Sequence, residues 1–180
     1  MSNLRLLNQT SITSAVNGVS VTDVFSSDYD IYKVTFNNLT NDTSNANIVL
    51  RFINSSGVIV TASSYDWAFS DMGDSISFGE YRATGSTSLG NTDAWVVGTA
   101  VDPYSSSAVM YVFNPFSSSS YTFAQLSSSG AIATNASRTR KAIGVLKQSA
   151  SMTGFQIFQS ASSINITTGT LRTYGIRVDS

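Results

Sequence analysis

The stretch Tyr29-Asp-Ile-Tyr-Lys-Val-Thr-Phe36 alternates apolar and polar side chains. Tyr32, Val34 and Phe36 fall on one face, Lys33 and Thr35 on the other, and Asp30 marks a polar start. Successive side chains of an extended chain point to opposite sides, so this pattern makes a strand with one buried face and not a helix.

The same alternation recurs on either side of it. Ile48, Leu50 and Phe52 share one face, and Val49, Arg51 and Ile53 share the other. Asn54-Ser-Ser-Gly57 is a turn, after which Val58–Thr61 reads as extended. Val19–Phe25 reads as an early strand. Later ones are expected at Ser75–Ala83, Ala94–Val101, Ala108–Phe113, Ala142–Lys147, Gly154–Gln159 and Thr170–Val178. About nine or ten strands with turn signals between them make an all-β chain, an antiparallel sandwich or barrel. Helical periodicity is nearly absent, and only Ala124–Ala136 admits a turn or two of helix. Pro103 and Pro115 both stand beside strand ends, where a missing N–H does little harm. The serine runs Ser105–Ser107, Ser117–Ser120 and Ser127–Ser129 are expected as loops between strands.

The chain's 180 residues suffice for one good core and are too few for two ordinary domains. Hydrophobic residues make up 42%, enough to fold, whereas charged residues make up only 12%, about half the usual share. Hydroxyls and amides carry the polar load instead, with 33 Ser, 19 Thr and 13 Asn. Such a surface suits a protein that packs against neighbours or lies flat on something. A net charge of −1 gives no basic stripe to neutralise phosphates, so nucleic acid is not an expected partner. The one basic cluster, Arg138, Arg140 and Lys141, is expected on a solvated strand edge that discourages strand addition, with a partner contact as the alternative. There is no cysteine and hence no disulfide framework. The opening Met-Ser-Asn-Leu-Arg-Leu-Leu is not the pattern of a signal peptide, and no apolar run is long enough to span a membrane. Synthesis and folding in a cytoplasm are expected.

The absence of histidine and cysteine removes most nucleophile–base pairs and most transition-metal sites. Glu80 is the only glutamate, so paired-carboxylate chemistry would have to draw on it or on Asp66, Asp71 and Asp74. Three readings of Asp66-Trp-Ala-Phe-Ser-Asp-Met-Gly-Asp74 stay open. It is a polar loop whose aromatics plug the core, a platform on which Tyr65 and Trp67 stack a sugar ring, or a calcium loop of no defined spacing. Trp95 joins Tyr65 and Trp67 as a candidate glycan contact. No catalytic, metal-binding or cofactor-binding residue is assigned, and no enzyme is expected.

Residues 1–18 differ from the rest. Leu4, Leu6 and Leu7 are apolar, whereas Asn8 to Gly18 is polar and turn-rich. An N-terminal arm over 1–18 is expected, either reaching across a neighbouring subunit or pairing with the C-terminal strand. Residues 19–180 form the β domain.

Two stretches carry a family resemblance. The first runs Tyr29-Asp-Ile-Tyr-Lys-Val-Thr-Phe-Asn-Asn-Leu39, through Ile48-Val-Leu-Arg-Phe-Ile-Asn-Ser-Ser-Gly57, to Ser63-Ser-Tyr-Asp-Trp67. The second runs from Lys141-Ala-Ile-Gly144 to Ser163-Ile-Asn-Ile-Thr-Thr-Gly169 and Thr170-Leu-Arg-Thr-Tyr-Gly-Ile176. Together they resemble the small jelly-roll virion proteins of tailed bacteriophages, especially those of aquatic bacteria. The resemblance spans most of the chain, in strand-and-turn patterns rather than chemical signatures. It implies a jelly-roll sandwich, a homotrimer and a place on the virion surface, after synthesis in the bacterial host cytoplasm. A capsid decoration or cement protein is the role implied first, with the major capsid protein or another virion protein as partner and Leu4, Leu6 and Leu7 as contacts. The alternative is a tail-fibre or receptor-binding module that recognises a host surface glycan.

Overall fold

The computed structural model describes residues 3–43, 46–74, 78–90, 95–99, 104–133 and 136–177, and none of these is helical. The strands are β1 (Leu4–Ile12), β2 (Gly18–Val21), β3 (Ile31–Asn41), β4 (Ala46–Asn54), β5 (Tyr65–Gly73) and β6 (Gly79–Ser86), then β7 (Val96–Thr99), β8 (Ser106–Phe113), β9 (Thr122–Ala133), β10 (Ala136–Leu146), β11 (Met152–Gln159) and β12 (Ile166–Ile176). They form two antiparallel sheets, one of eight strands in the order β1-β12-β3-β8-β9-β10-β5-β6 and one of four in the order β2-β11-β4-β7. The chain changes sheet at every connection from β1 to β5. It stays in the larger sheet only for β5–β6 and for β8–β9–β10.

Between the sheets lies an apolar core, so the fold is a β-sandwich. Tyr32, Val34 and Phe36 have no exposed surface, and neither do Met110 and Val112 of β8 or Phe155 and Ile157 of β11. The ring of Phe36 in the larger sheet meets that of Phe155 in the smaller one edge-on, with centroids 6.3 Å apart. The strands read from alternation at Tyr29–Phe36, Ala108–Phe113 and Gly154–Gln159 therefore place their apolar faces inward as the sequence requires.

Several expectations are corrected. The described residues of Ala124–Ala136 are strand and not helix: β9 runs to Ala133 and β10 starts at Ala136. Alanine's helix preference amounts to tenths of a kcal/mol per residue, and β9 is paired residue by residue with β8 and β10, which outweighs it. Ser127–Ser129 lies inside β9, and Ser106 and Ser107 open β8, so one serine run and most of a second are strand. Tyr65–Gly73 is strand β5, with its burial alternating, where a polar loop was one of the readings. Val58–Thr61 makes only an isolated bridge, Ile53 to Ile59. Of the strand expected over Ala94–Val101, Val96–Thr99 is β7, and Ala94, Ala100 and Val101 lie outside the described residues.

Of the two dispositions expected for residues 1–18, pairing with the C-terminal strand is the one observed. Leu4–Ile12 is edge strand β1, antiparallel to β12 from Leu4 opposite Ile176 to Ile12 opposite Gly169. Val16 exchanges backbone hydrogen bonds with Ile166 just beyond it. The basic cluster does not lie on an edge, because β10 sits between β9 and β5.

Candidate functional site

Strands β8, β9, β10 and β5 alternate buried and accessible positions, so each sends a second set of side chains away from the core. Register aligns these sets into rows across the larger sheet. One row runs Lys33, Tyr111, Gln125, Ile143, Ala68 and Arg82, from β3 to β6. The next runs Val109, Ser127, Lys141, Ser70 and Glu80. A third, on the other side of the first, runs Ile31, Phe113, Phe123 and Val145 to Asp66.

Small side chains at Ala68, Ser70 and Ser127 leave space between bulkier neighbours. The result is two contiguous hollows of about 950 and 620 Å³ that share Ala68, Arg82, Gln125 and Ile143. Volumes of this size hold small-molecule or oligomeric ligands. Tyr111, Phe123 and Ile143 remain 38%, 45% and 59% exposed here.

The polar groups of this face are of two kinds. Asp66 is engaged: its carboxylate lies 2.8 Å from Lys147 Nζ and accepts a hydrogen bond from Gly85 N–H at 2.9 Å. The Lys147 contact, and then the Gly85 bond, hold the Asp66 carboxyl below the usual carboxylate range. By contrast, the side chains of Lys33, Arg82, Lys141, Glu80, Gln125 and Tyr111 make no hydrogen bond or ion pair among the described residues. They are available to a ligand.

The residues expected to contact a glycan lie elsewhere. Tyr65 and Trp95 are wholly buried and Trp67 is 5% exposed. Tyr65 stacks on Phe52, and Trp67 stacks on Phe69 and donates Nε1–H to Ser86 Oγ at 3.2 Å. None of the three offers a ring face to a sugar, because Tyr65 and Trp67 occupy the inward positions of β5 and Trp95 has no exposed surface. The expected platform is core.

The carboxylates do not converge either. Asp66 points outward. Asp71, five residues on, points inward, where it takes a 2.8 Å hydrogen bond from Arg140 and lies 3.6 Å from Arg138. Asp74 accepts from the N–H and hydroxyl of Ser137, beyond the end of β5. Among the described residues no three ligating side chains gather closely enough to hold a metal ion. Of the basic cluster, Arg140 is buried under the ion pair with its guanidinium over the Phe69 ring, and Lys141 alone faces outward with the hollow.

Leu4 and Leu6 stand on the outer face of β1, 40% and 50% exposed, opposite Ile176 and Tyr174 of β12. Leu7 is half-buried against the core. Of the outward set, the sequence reads Tyr111, with Phe113, as core or subunit interface, whereas Phe123, Gln125 and Ile143 escaped the sequence reading, although β8 shows the signal. Val109, Tyr111 and Phe113 are as large and apolar as the buried Met110 and Val112 beside them. A strand apolar on both faces is covered on both or exposes one.

Comparison with protein-family models, with curated proteins and with solved structures gives no match to this chain.

Proposed function

We propose that this chain is a non-enzymatic structural protein of a tailed-bacteriophage virion, a decoration subunit that coats the outer head surface. The observation that carries the proposal is the apolar edge of the larger sheet. Leu4, Leu6, Tyr174 and Ile176 adjoin one another on its outer face, in a protein whose surface is poor in charge. Exposed apolar side chains clustered on one face mark an association surface. Strand order supports the jelly-roll reading. The four strands β1-β12-β3-β8 face the four strands β2-β11-β4-β7, with chain crossings between them at nearly every step. On this reading β9–β10 and β5–β6 are two hairpins, joined to each other by the non-consecutive pairing of β10 with β5, that widen one sheet. Assembly as a homotrimer, with the capsid protein as partner, follows from the resemblance of the Tyr29–Trp67 and Lys141–Ile176 segments to phage virion proteins.

The test is a pair of measurements. Gold-labelled antibody against the recombinant protein should decorate the heads of purified particles. A Leu4→Ser/Leu6→Ser variant should bind particles stripped of the native subunit at least about tenfold more weakly while melting within a few degrees of wild type. Label confined to tails would overturn the decoration role. It would favour the second reading, a tail-fibre or receptor-binding module, for which the hollows beside Tyr111 and Phe123 are the supporting observation.

A further inference from the structure

We propose that the outer trough of the larger sheet, from β3 to β6, is a binding site for an anionic polysaccharide that carries a carboxylate on only some of its sugars. This inference does not rest on where in the virion the protein sits.

Three observations combine. First, the trough is built from neighbouring strands, β8 to β6, spanning four inter-strand gaps or about 19 Å, with small residues on its floor and exposed rings at one side. Tyr111 and Phe123 are diagonal neighbours there, an apolar platform of the kind on which the C–H face of a sugar ring rests. Second, its polar side chains are unspent. Gln125 can donate and accept, Glu80 accepts, and the hydroxyls of Ser70 and Ser127 do both, which matches the mixed donor–acceptor rim of a sugar. Third, its charge is lopsided. Among the described residues Lys33, Lys141 and Arg82 have no ion pair, and Glu80 is the one carboxylate on this strip besides Asp66, which Lys147 neutralises. The strip therefore carries a net charge of about +2 in a chain whose total is −1.

That charge decides among occupants. A second copy docked face to face would bring together two strips that each carry net positive charge, and like charges brought together at an interface cost several kcal/mol. Single-stranded nucleic acid is also anionic and would stack on the rings. However, the cations stand on β3, β10 and β6, about 10 to 14 Å apart, too sparse for one phosphate per nucleotide, and Glu80 would repel the backbone. A polymer with a carboxylate on only some sugars, and hydroxyls between, fits the spacing.

The experiment is isothermal titration of the recombinant full chain with three probes: hyaluronan, which carries a carboxylate on alternate sugars, neutral dextran and oligothymidylate. Hyaluronan should bind, and raising salt from about 0.05 to 0.5 M should weaken it several-fold, because the charges are solvent-exposed. Lys141→Glu and Tyr111→Ala should each weaken it at least tenfold, and both variants should melt as the wild type does, since both side chains are exposed. Dextran should bind at least tenfold more weakly. Several results would overturn the proposal: no binding of hyaluronan, binding indifferent to both substitutions, or tighter binding of oligothymidylate. Self-association abolished by Lys141→Glu, without polysaccharide binding, would do the same by assigning the face to a second copy. Because none of these readouts uses virions, failure here leaves the decoration role standing, and the reverse also holds.

Discussion

The Tyr65 hydroxyl lies 3.0 Å from the backbone nitrogen of Phe52 and accepts its hydrogen bond, so a side chain of the larger sheet completes main-chain pairing in the smaller one. The need arises because β4 pairs with β7 only around Ala46 and Ile48. Beyond that point its edge is satisfied piecemeal. Leu50 exchanges bonds with Leu89, Val60 N–H reaches the Phe52 carbonyl, and Asn54 N–H reaches Val58. Tyr65 supplies the remaining acceptor and donates in turn to the Val60 carbonyl at 3.1 Å.

Tyr65→Phe should therefore lower unfolding free energy by about 1–3 kcal/mol, the usual cost of leaving buried polar groups unpaired. Chemical denaturation measures it, and a change below about 0.5 kcal/mol would mean the bridge contributes nothing. Burial pushes the Tyr65 phenol well above its ordinary 10.0. A raised phenol keeps its stabilising contribution at all pH values below the ordinary one, and loses it only as alkali forces ionisation.

The Arg140–Asp71 pair is buried, with side-chain exposures of 6% and 2%. Asp71→Ala should cost about 3–5 kcal/mol by removing the carboxylate that accepts from a buried guanidinium. The double variant Asp71→Leu/Arg140→Met should recover most of that loss, because an apolar pair needs no counter-charge. Equal losses in the single and double variants would refute a predominantly electrostatic origin.

Acid should weaken the fold through its engaged carboxylates. Asp66 is held low by Lys147 and Gly85, and Asp42 by the Asn165 N–H and side-chain amide. A depressed carboxyl contributes stability above its ordinary value of 3.8 and loses it as pH falls through the lower folded value. The melting temperature should thus drop between about pH 4 and pH 2, by less in Asp66→Asn/Asp42→Asn than in wild type. Both groups are at the surface, so the difference will be small, and an identical drop would exclude them.

Two glycines should respond oppositely in mechanism. A Cβ on Gly154 would run into the Val21 carbonyl oxygen and come within 3.0 Å of Thr22 Cα, both backbone. Gly154→Ala should separate β2 from β11 and lower the melting temperature by several degrees or prevent folding. Gly57 has open space around it but a φ of +76°, so Gly57→Ala should cost only about 1 kcal/mol of backbone strain. Comparable losses at both positions would contradict the close approach at Gly154.

Strand positions were legible wherever one face is apolar and the other polar, as in Tyr32–Phe36. They were illegible where hydroxyls replace apolar residues. Ser128 in β9 and Thr173 in β12 are buried inward positions, yet a lone serine run reads as a loop. Asp71 and Arg140 misled for a related reason: each looks solvent-facing alone, and only the register that pairs Arg140 with Asp71 across β10 and β5 makes both tolerable inside. The trough was illegible because it gathers residues from β3, β8, β9, β10, β5 and β6, separated by more than a hundred positions in the chain.

What the sequence by itself determined is local. Period-two patterning makes strands, and chain length permits one core. The side chains at Tyr32, Val34 and Phe36 must face inward, because burying apolar surface is the main favourable term in folding. Which of two apolar faces stays wet was decided only by tertiary structure. Tyr65, Trp67 and Trp95 look as able to bind a ligand as Tyr111 and Phe123 do. An eight-stranded sheet packed on a four-stranded one covers the first three, whereas the last two stay 38% and 45% exposed among the described residues.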